Sequence, residues 1–345
     1  MKLSSLLGIA GVCVLGVSSV FAQSEPNVVW EVPTPGGLAN SVVGIGWSPD
    51  GGRVAVGSTD RWVRSRQASN GALVYSLLEP IRSGSADQTI YSIDGAFLAV
   101  HSSGSGLGYR VHRAADGVFL GAITVTIDSN GLVRFAPEAQ LLAAAGGNEV
   151  LSRWRIEDFT VVLIVGTGYT RTTTTFNFSP DGSYQSAAGQ RTITIQRRSN
   201  GATIARFAGG QTSGFTPSTF TPDSTAIAAW SASPNQVTLW RLSDGAILRQ
   251  FPGASADEGV GAIRFTPNGA CLVTTGYLPY MDQNGLWQQV GVIRFWGVPD
   301  GTLRSNYYGH TGIGVTSPIA WSPDSMFFAY GTYEGTTVVA RTPAP

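Results

Sequence analysis

Short runs of apolar residues, or of apolar and polar residues in alternation, recur along nearly the whole chain. Val237-Thr238-Leu239-Trp240 and Val292-Ile293-Arg294-Phe295-Trp296 are examples. Between the runs stand Gly, Asp, Asn, Pro and Ser, the residues that tolerate turn geometry. The runs are rich in β-branched and aromatic side chains, which pack well on a pleated surface, so they predict strands. Beyond the N-terminal segment no stretch holds an apolar stripe at helical spacing. The pattern predicts an all-β chain.

The strands fall into a repeating unit. An aromatic residue followed by a turn recurs as Trp47-Ser48-Pro49-Asp50-Gly51, Tyr91-Ser92-Ile93-Asp94-Gly95, Phe135-Ala136-Pro137-Glu138 and Phe178-Ser179-Pro180-Asp181-Gly182. It continues as Phe220-Thr221-Pro222-Asp223, Phe265-Thr266-Pro267-Asn268-Gly269 and Trp321-Ser322-Pro323-Asp324. Successive aromatic positions lie 44, 44, 43, 42, 45 and 56 residues apart. A second landmark, Asn70-Gly71, Asp116-Gly117, Asn200-Gly201, Asp244-Gly245 or Asp300-Gly301, sits between two β-rich runs. These pairs accept the positive φ angles of a tight hairpin turn. A period in the low forties holding four short strands is the signature of propeller blades. The expected fold is therefore a seven-bladed β-propeller with four antiparallel strands per blade. The last unit reaches Pro345 before an outer strand, whereas Asn27-Val28-Val29-Trp30-Glu31-Val32 has that strand's character. Pairing of this N-terminal strand with the C-terminal blade should close the ring and cover a sheet edge.

The first 22 residues read differently. Lys2, the apolar stretch from Leu6 to Val17 and the small-residue end Val20-Phe21-Ala22 form a cleavable signal peptide over residues 1–22, with Gln23 as the mature N-terminus. Residues 23–345 then make a single propeller, exported to the periplasm or secreted. Val12 stands before Cys13 where a lipobox needs Gly or Ala. No later stretch is long and apolar enough to span a bilayer, so no membrane insertion is expected after cleavage.

Charge and cysteine content narrow the function. The chain carries 22 Lys and Arg against 22 Asp and Glu, a formal net charge of zero that offers no field to gather nucleic acid. Lys2 is the only lysine, so a mature chain has no phosphate-loop lysine. Removal of the signal leaves Cys271, which sits in the core-like run Ala270-Cys271-Leu272-Val273 and has no partner for an intramolecular disulfide. His101, His112 and His310 lie in different repeats without metal-ligand spacing, so no metal and no cofactor is expected. His112 falls near a hairpin turn, where a solvated side chain is expected. The repeated turn carboxylates, such as Asp50 and Asp181, are read as turn-forming groups that accept backbone N–H bonds.

The period, the Ser-Pro-Asp-Gly turn and third-strand tryptophans Trp154, Trp240 and Trp296 resemble the WD40-repeat family over positions 26–345. Gly309-His310 is similar to the family's Gly-His pair, and Asp60 stands where the family keeps a tight-turn aspartate. Arg155, Arg241 and Gly297 follow those tryptophans where the family has Asp, and Ala340 takes the tryptophan position of its own blade. The same turn also occurs in exported TolB-like propellers, the second resemblance. The WD40 resemblance implies a noncatalytic binding or scaffolding module that presents one face of the ring to a protein partner. A hydrolase or lactonase working through the central channel and a glycan-binding propeller are the alternatives. Acids converging on the channel would favour the enzyme, and small or hydroxyl residues the scaffold.

The 56-residue interval locates an insertion in blade six over residues 277–290, expected as a loop between its second and third strands. Tyr277, Tyr280, Met281 and Trp287 are too apolar to leave in water without a use, and such residues are enriched in contact surfaces. Tyr307 and Tyr308 join blades six and seven on the same face. These six residues are the candidate partner-binding set of an expected monomer. Arg82-Ser83 and Arg171-Thr172-Thr173-Thr174-Thr175 would add Arg and hydroxyl groups to that rim.

Overall fold

A computed structural model describes residues 26–37, 40–80, 84–102, 108–123, 133–136, 141–146, 150–166, 175–188, 192–208, 217–232, 235–253, 259–281, 286–308, 319–332 and 334–344. Residues 1–22, read from the sequence as a signal peptide, Gly309-His310, Arg82-Ser83 and Arg171–Thr174 lie outside the described residues. All regular structure described is strand, and no α-helix occurs among these residues.

Strand β1 (Asn27–Pro33) precedes the first sheet, which is built from β2 (Val42–Trp47), β3 (Arg53–Ser58), β4 (Trp62–Gln67) and β5 (Leu73–Leu78). The second sheet is β6 (Ala86–Tyr91), β7 (Phe97–Ser102), β8 (Tyr109–Arg113) and β9 (Phe119–Ile123). The third is β10 (Val133–Phe135), β11 (Leu141–Gly146), β12 (Val150–Arg155) and β13 (Val161–Gly166). The fourth is β14 (Thr175–Phe178), β15 (Tyr184–Ala188), β16 (Thr192–Arg197) and β17 (Thr203–Ala208). The fifth is β18 (Ser218–Phe220), β19 (Ala226–Ala232), β20 (Asn235–Arg241) and β21 (Ile247–Pro252). The sixth is β22 (Gly259–Phe265), β23 (Cys271–Met281), β24 (Trp287–Gly297) and β25 (Leu303–Tyr308). Last come β26 (Ile319–Trp321), β27 (Phe327–Gly331) and β28 (Thr336–Arg341). Their fourth strand is β1, which pairs antiparallel with β28 from Asn27↔Arg341 to Pro33↔Thr336. Each of the first six sheets is an antiparallel meander, and the seventh completes the same four-stranded antiparallel pattern with β1, consistent with the blades of a β-propeller.

The turn residues act as the spacing implies. Ser48 Oγ donates to Asp50 Oδ1, which accepts the Gly52 N–H at 2.9 Å, while Ser48 Oγ accepts the Arg53 N–H at 2.9 Å. The geometry recurs at Ser92–Asp94, Ser179–Asp181, Thr221–Asp223, Thr266–Asn268 and Ser322–Asp324. In the fifth and seventh sheets serine takes the left-handed turn position, with φ of 61° at Ser224 and 63° at Ser325. Each of those hydroxyls accepts an N–H from the preceding sheet's turn, Asp181 N at 3.0 Å and Asn268 N at 2.9 Å. That bond offsets the cost of a non-glycine residue with positive φ.

The core lies between sheets. Ala55 and Val63 of the first sheet pack with Ala86, Leu98 and Val100 of the second, and Phe295 and Tyr307 of the sixth pack with Phe328 and Tyr330 of the seventh. Trp30 and Val339 of the seventh sheet join Val54 and Val56 of the first. The sheets approach closely: a Cβ on Gly57 would fall 2.2 Å from the Ala86 carbonyl oxygen. Trp154, Trp240 and Ala340 do occupy third strands, as does Trp296, whose Nε1 donates to Thr274 Oγ1 on the neighbouring strand at 3.3 Å.

Candidate functional site

The insertion in the sixth sheet is a β-ribbon rather than the expected loop. β23 and β24 are 11 residues each, and their pairing runs on through Leu278↔Val290, Pro279↔Gln289, Tyr280↔Gln288 and Met281↔Trp287. β22 stops pairing at Tyr277 and β25 at Val292, so among the described residues the two strands pair only with each other beyond those points. Val, Tyr and Trp favour a pleated ladder, and Pro279, which cannot donate, sits where β23 has no second neighbour to satisfy. Antiparallel alternation places the ribbon tip at the same end of the sheets as the connection from β25 to β26; residues 282–285 of the tip are outside the described set.

Met281, Leu286 and Trp287 at the ribbon's end are 56%, 59% and 70% exposed. An indole that free of contacts leaves roughly 3–4 kcal/mol of burial free energy unrealised, taking a ring that buries about 200 Å² at about 25 cal/mol per Å². Leu286 was not singled out by the sequence, although it lies within the same apolar run. Tyr277 at the base is half-buried, with its ring over Gly259, where a Cβ would meet Tyr277 Cε1 at 2.4 Å. Tyr280 lies on β23 opposite Gln288, and its side chain is outside the described set.

Tyr307 corrects an expectation. It is 3% exposed, its ring 5.7 Å from Phe295 and stacked on Phe328 at 6.2 Å, so it belongs to the core between sheets and offers no contact surface. Adjacent strand residues face opposite ways, so Tyr307 and Tyr308 cannot share one surface. Tyr308 is half-buried beside Arg294, a fully buried residue of β24. Burial lowers the pKa of Arg294, and a hydrogen bond with Tyr308 opposes that shift.

Two further polar clusters stand in the second sheet. His101 Nδ1 meets Asp87 Oδ1 at 2.6 Å, its ring lies 4.7 Å from Tyr109, and Tyr109 Oη donates to Gln88 Oε1 at 2.7 Å. His112, expected in solvent, is 4% exposed instead. Its Nδ1 is 3.1 Å from the Gly117 carbonyl, and its Nε2 is 3.5 Å from Oε1 of the fully buried Glu79. Arg110 Nε completes the group 3.3 Å from Glu79 Oε2. Glu79 follows β5 of the first sheet, so this polar cluster spans two sheets. The turn carboxylates are held ionised by their turns. Burial alone would raise the pKa of Asp181, but bonds from Ser179 Oγ and Ser183 N outweigh it and hold it at about 2. The Ser48 hydroxyl and the Gly52 N–H likewise lower Asp50.

The innermost strands β2, β6, β14, β18 and β26 carry Gly44, Gly46, Asn177, Thr219 and Ala320, together with Thr89 and Ser218, which are buried. The charged residues on the seven inner strands are Asp87, Arg134 and Arg264. Among the described residues no group of three or more His, Cys, Asp or Glu is placed to hold a metal.

Four-stranded antiparallel sheets, repeated along the chain and packed face to face, define a β-propeller repeat protein. Residues 34–65, which cover β2, β3 and the Ser58–Asp60 turn, match the family model described as WD domain, G-beta repeat. An uncharacterised WD repeat-containing protein of Synechocystis sp. is 25% identical over 163 residues, covering 47% of this chain. The match spans 45% of that relative's length. The similarity to WD repeat-containing proteins rests on these two matched stretches.

Proposed function

We propose that this protein is an exported, noncatalytic binding module: a closed ring of seven blades that presents the face bearing the β23–β24 ribbon to a protein partner. The observation that carries the reading is the ribbon's apolar end, with Met281, Leu286 and Trp287 each more than half exposed on a strand pair that has left its own sheet. Exposed apolar groups gathered on a projecting element mark contact sites more than those scattered singly. Ring closure is supported by the β1–β28 pairing and by the cores joining the seventh sheet to the sixth and to the first. The small and hydroxyl residues of the inner strands favour a scaffold over a channel hydrolase. Export rests on Lys2, the apolar stretch and Val20-Phe21-Ala22, and a native N-terminus at or near Gln23 tests it by mass spectrometry.

The contact is tested by placing a photo-crosslinking amino acid at Trp287 and, as a control, at Leu73 on an outer strand, then irradiating the native envelope fraction. A distinct protein adduct at the ribbon position, absent at Leu73, is the expected outcome. Replacing Met281 and Trp287 together with Ser should weaken capture of that protein about thirtyfold, the equivalent of ~2 kcal/mol. A glycan adduct in place of protein, or equal labelling at both positions, would refute the reading.

A further inference from the structure

The two strands of the ribbon do not offer equal edges. Their register runs unbroken from Cys271↔Gly297 to Met281↔Trp287, so the base of the sheet fixes where each backbone group points. There the Val298 N–H donates to the Ala270 carbonyl at 3.0 Å, across the seam between β23 and β24. The Gly297 N–H donates the other way, to the Thr302 carbonyl at 2.8 Å beside β25. On the β22 side, the Cys271 carbonyl accepts the Thr266 N–H at 2.9 Å. Peptide groups along a strand alternate between its two neighbours. Odd-numbered residues of β24 therefore face away from β23, and odd-numbered residues of β23 face away from β24.

At the projecting end this alternation separates the two edges. The outward positions on β23 are Pro279 and Met281, and Pro279 has no N–H to offer, so that edge is blunted. On β24 they are Trp287 and Gln289, both exposed, and each turns its N–H and C=O away from the ribbon. β25 occupies this side of β24 as far as Val292↔Tyr308, and Gly291, next along, is buried. The open stretch thus continues the line of β25. Residues directly opposite in an antiparallel pair share a face, so Trp287 stands with Met281, and Gln289 and Pro279 follow along it. None of residues 277–281 and 287–291 is charged. Exposed edges are commonly guarded by a charge, a proline or a bulge; β24 has none of these here.

We propose that β24 accepts an extended segment of the protein partner as an added strand, hydrogen-bonded to the backbone of Trp287 and Gln289. The inference deepens the contact reading above and rests on it. Backbone bonds to the edge supply register and affinity, and the face shared by Trp287 and Met281 selects the side chain set against it. That segment is uncharged and apolar opposite Trp287, because the ribbon residues around it offer no counter-charge to a group that loses its water there.

The test follows the protein adduct formed through a photo-crosslinking residue at Trp287 in the native envelope fraction, comparing Gln289→Pro with Gln289→Ala. Proline deletes the outward N–H of β24, and Pro279 shows that the ribbon tolerates proline at an outward position. Q289A should keep the adduct within about twofold of the parent chain, whereas Q289P should lower it at least about tenfold. A second measurement uses the unsubstituted chain and holds even if Q289P disturbs the ribbon. The cross-linked segment, sequenced by mass spectrometry and made as a peptide, should slow amide exchange at Trp287 and Gln289. The amides of Gln288 and Val290 face β23 and should not change. An undiminished adduct in Q289P, equal loss in both variants, protection that ignores the alternation, or an adduct between two copies of this chain would overturn strand addition alone. Absence of any protein adduct at Trp287 would refute the contact reading, and the added strand with it.

Discussion

Trp30→Ala tests how strongly the N-terminal strand holds the seventh sheet to the first. β1 carries a bulge between Val28 and Trp30, which leaves Val29 without a partner and turns Trp30 inward. Trp30 is 8% exposed, packs with Val42, Val54, Val56, Ala329 and Val339, and lies over Gly71, where a Cβ would meet its Cε3 at 2.8 Å. Its Nε1 donates to the Ala68 carbonyl of the first sheet at 2.7 Å. Truncation removes a buried ring of about 200 Å², roughly 5 kcal/mol at about 25 cal/mol per Å², within the range of ~3–5 kcal/mol for large-to-small core changes. The lost indole bond contributes about 1 kcal/mol more, partly recovered by water reaching Ala68. An unfolding entropy of ~2.1 cal/mol/K per residue makes ~4 kcal/mol equivalent to a fall of about 6 °C in Tm for a chain of this size. Val29→Ala on the same strand is the control, because Val29 is 41% exposed and its loss should cost no more than ~0.5 kcal/mol. Differential scanning calorimetry with matched urea melts measures both. If the two variants melt within about 1 °C of each other, β1 does not staple the two sheets.

Gly57→Ala should destabilise by more than about 2 kcal/mol in a urea melt, because its methyl would stand 2.2 Å from the Ala86 carbonyl oxygen and force two sheets apart; a neutral melt would contradict that packing. Asp181 has its pKa lowered to about 2 from 3.8, so it contributes stability that is present above pH 4 and lost as pH falls toward 2. Asp181→Asn should therefore be less stable than wild type at pH 6, by no more than about 1 kcal/mol for so exposed a group, with the gap closing below pH 2; a constant gap would refute it. Cys271 is 2% exposed and burial pushes its thiol pKa up, so a thiol reagent should label it only on unfolding; rapid labelling of the native chain would contradict its core position.

The strands were legible because most turns repeat one chemistry, an aromatic, a Ser or Thr, a Pro and an acid, with hydrogen bonds that close over a few residues. The third-strand positions of Trp154, Trp240 and Trp296 followed from the WD40 resemblance, and the pairing of β1 with β28 from the outer strand that the last repeat lacks. What depends on contacts distant in sequence was less legible. The long sixth interval made the insertion read as a loop, since nothing local shows that Leu278 faces Val290. Tyr307 and Tyr308 look alike in sequence, and only the depth of β25 against Phe328 decides that Tyr307 turns inward. His112 is buried beside Phe119 and beside Glu79, which reaches it from the preceding sheet.

The ring is tested most directly by native-state hydrogen exchange followed by mass spectrometry, reading peptides from β1, β28 and the ribbon tip. Closure predicts that the hydrogen-bonded amides of Asn27–Pro33 exchange with an opening free energy within about 1 kcal/mol of those of Thr336–Arg341, because the two strands open together. The ribbon tip around Met281 and Trp287 should exchange far faster than either strand. Rapid exchange throughout β1 while β28 remains protected would contradict closure of the ring by the N-terminal strand.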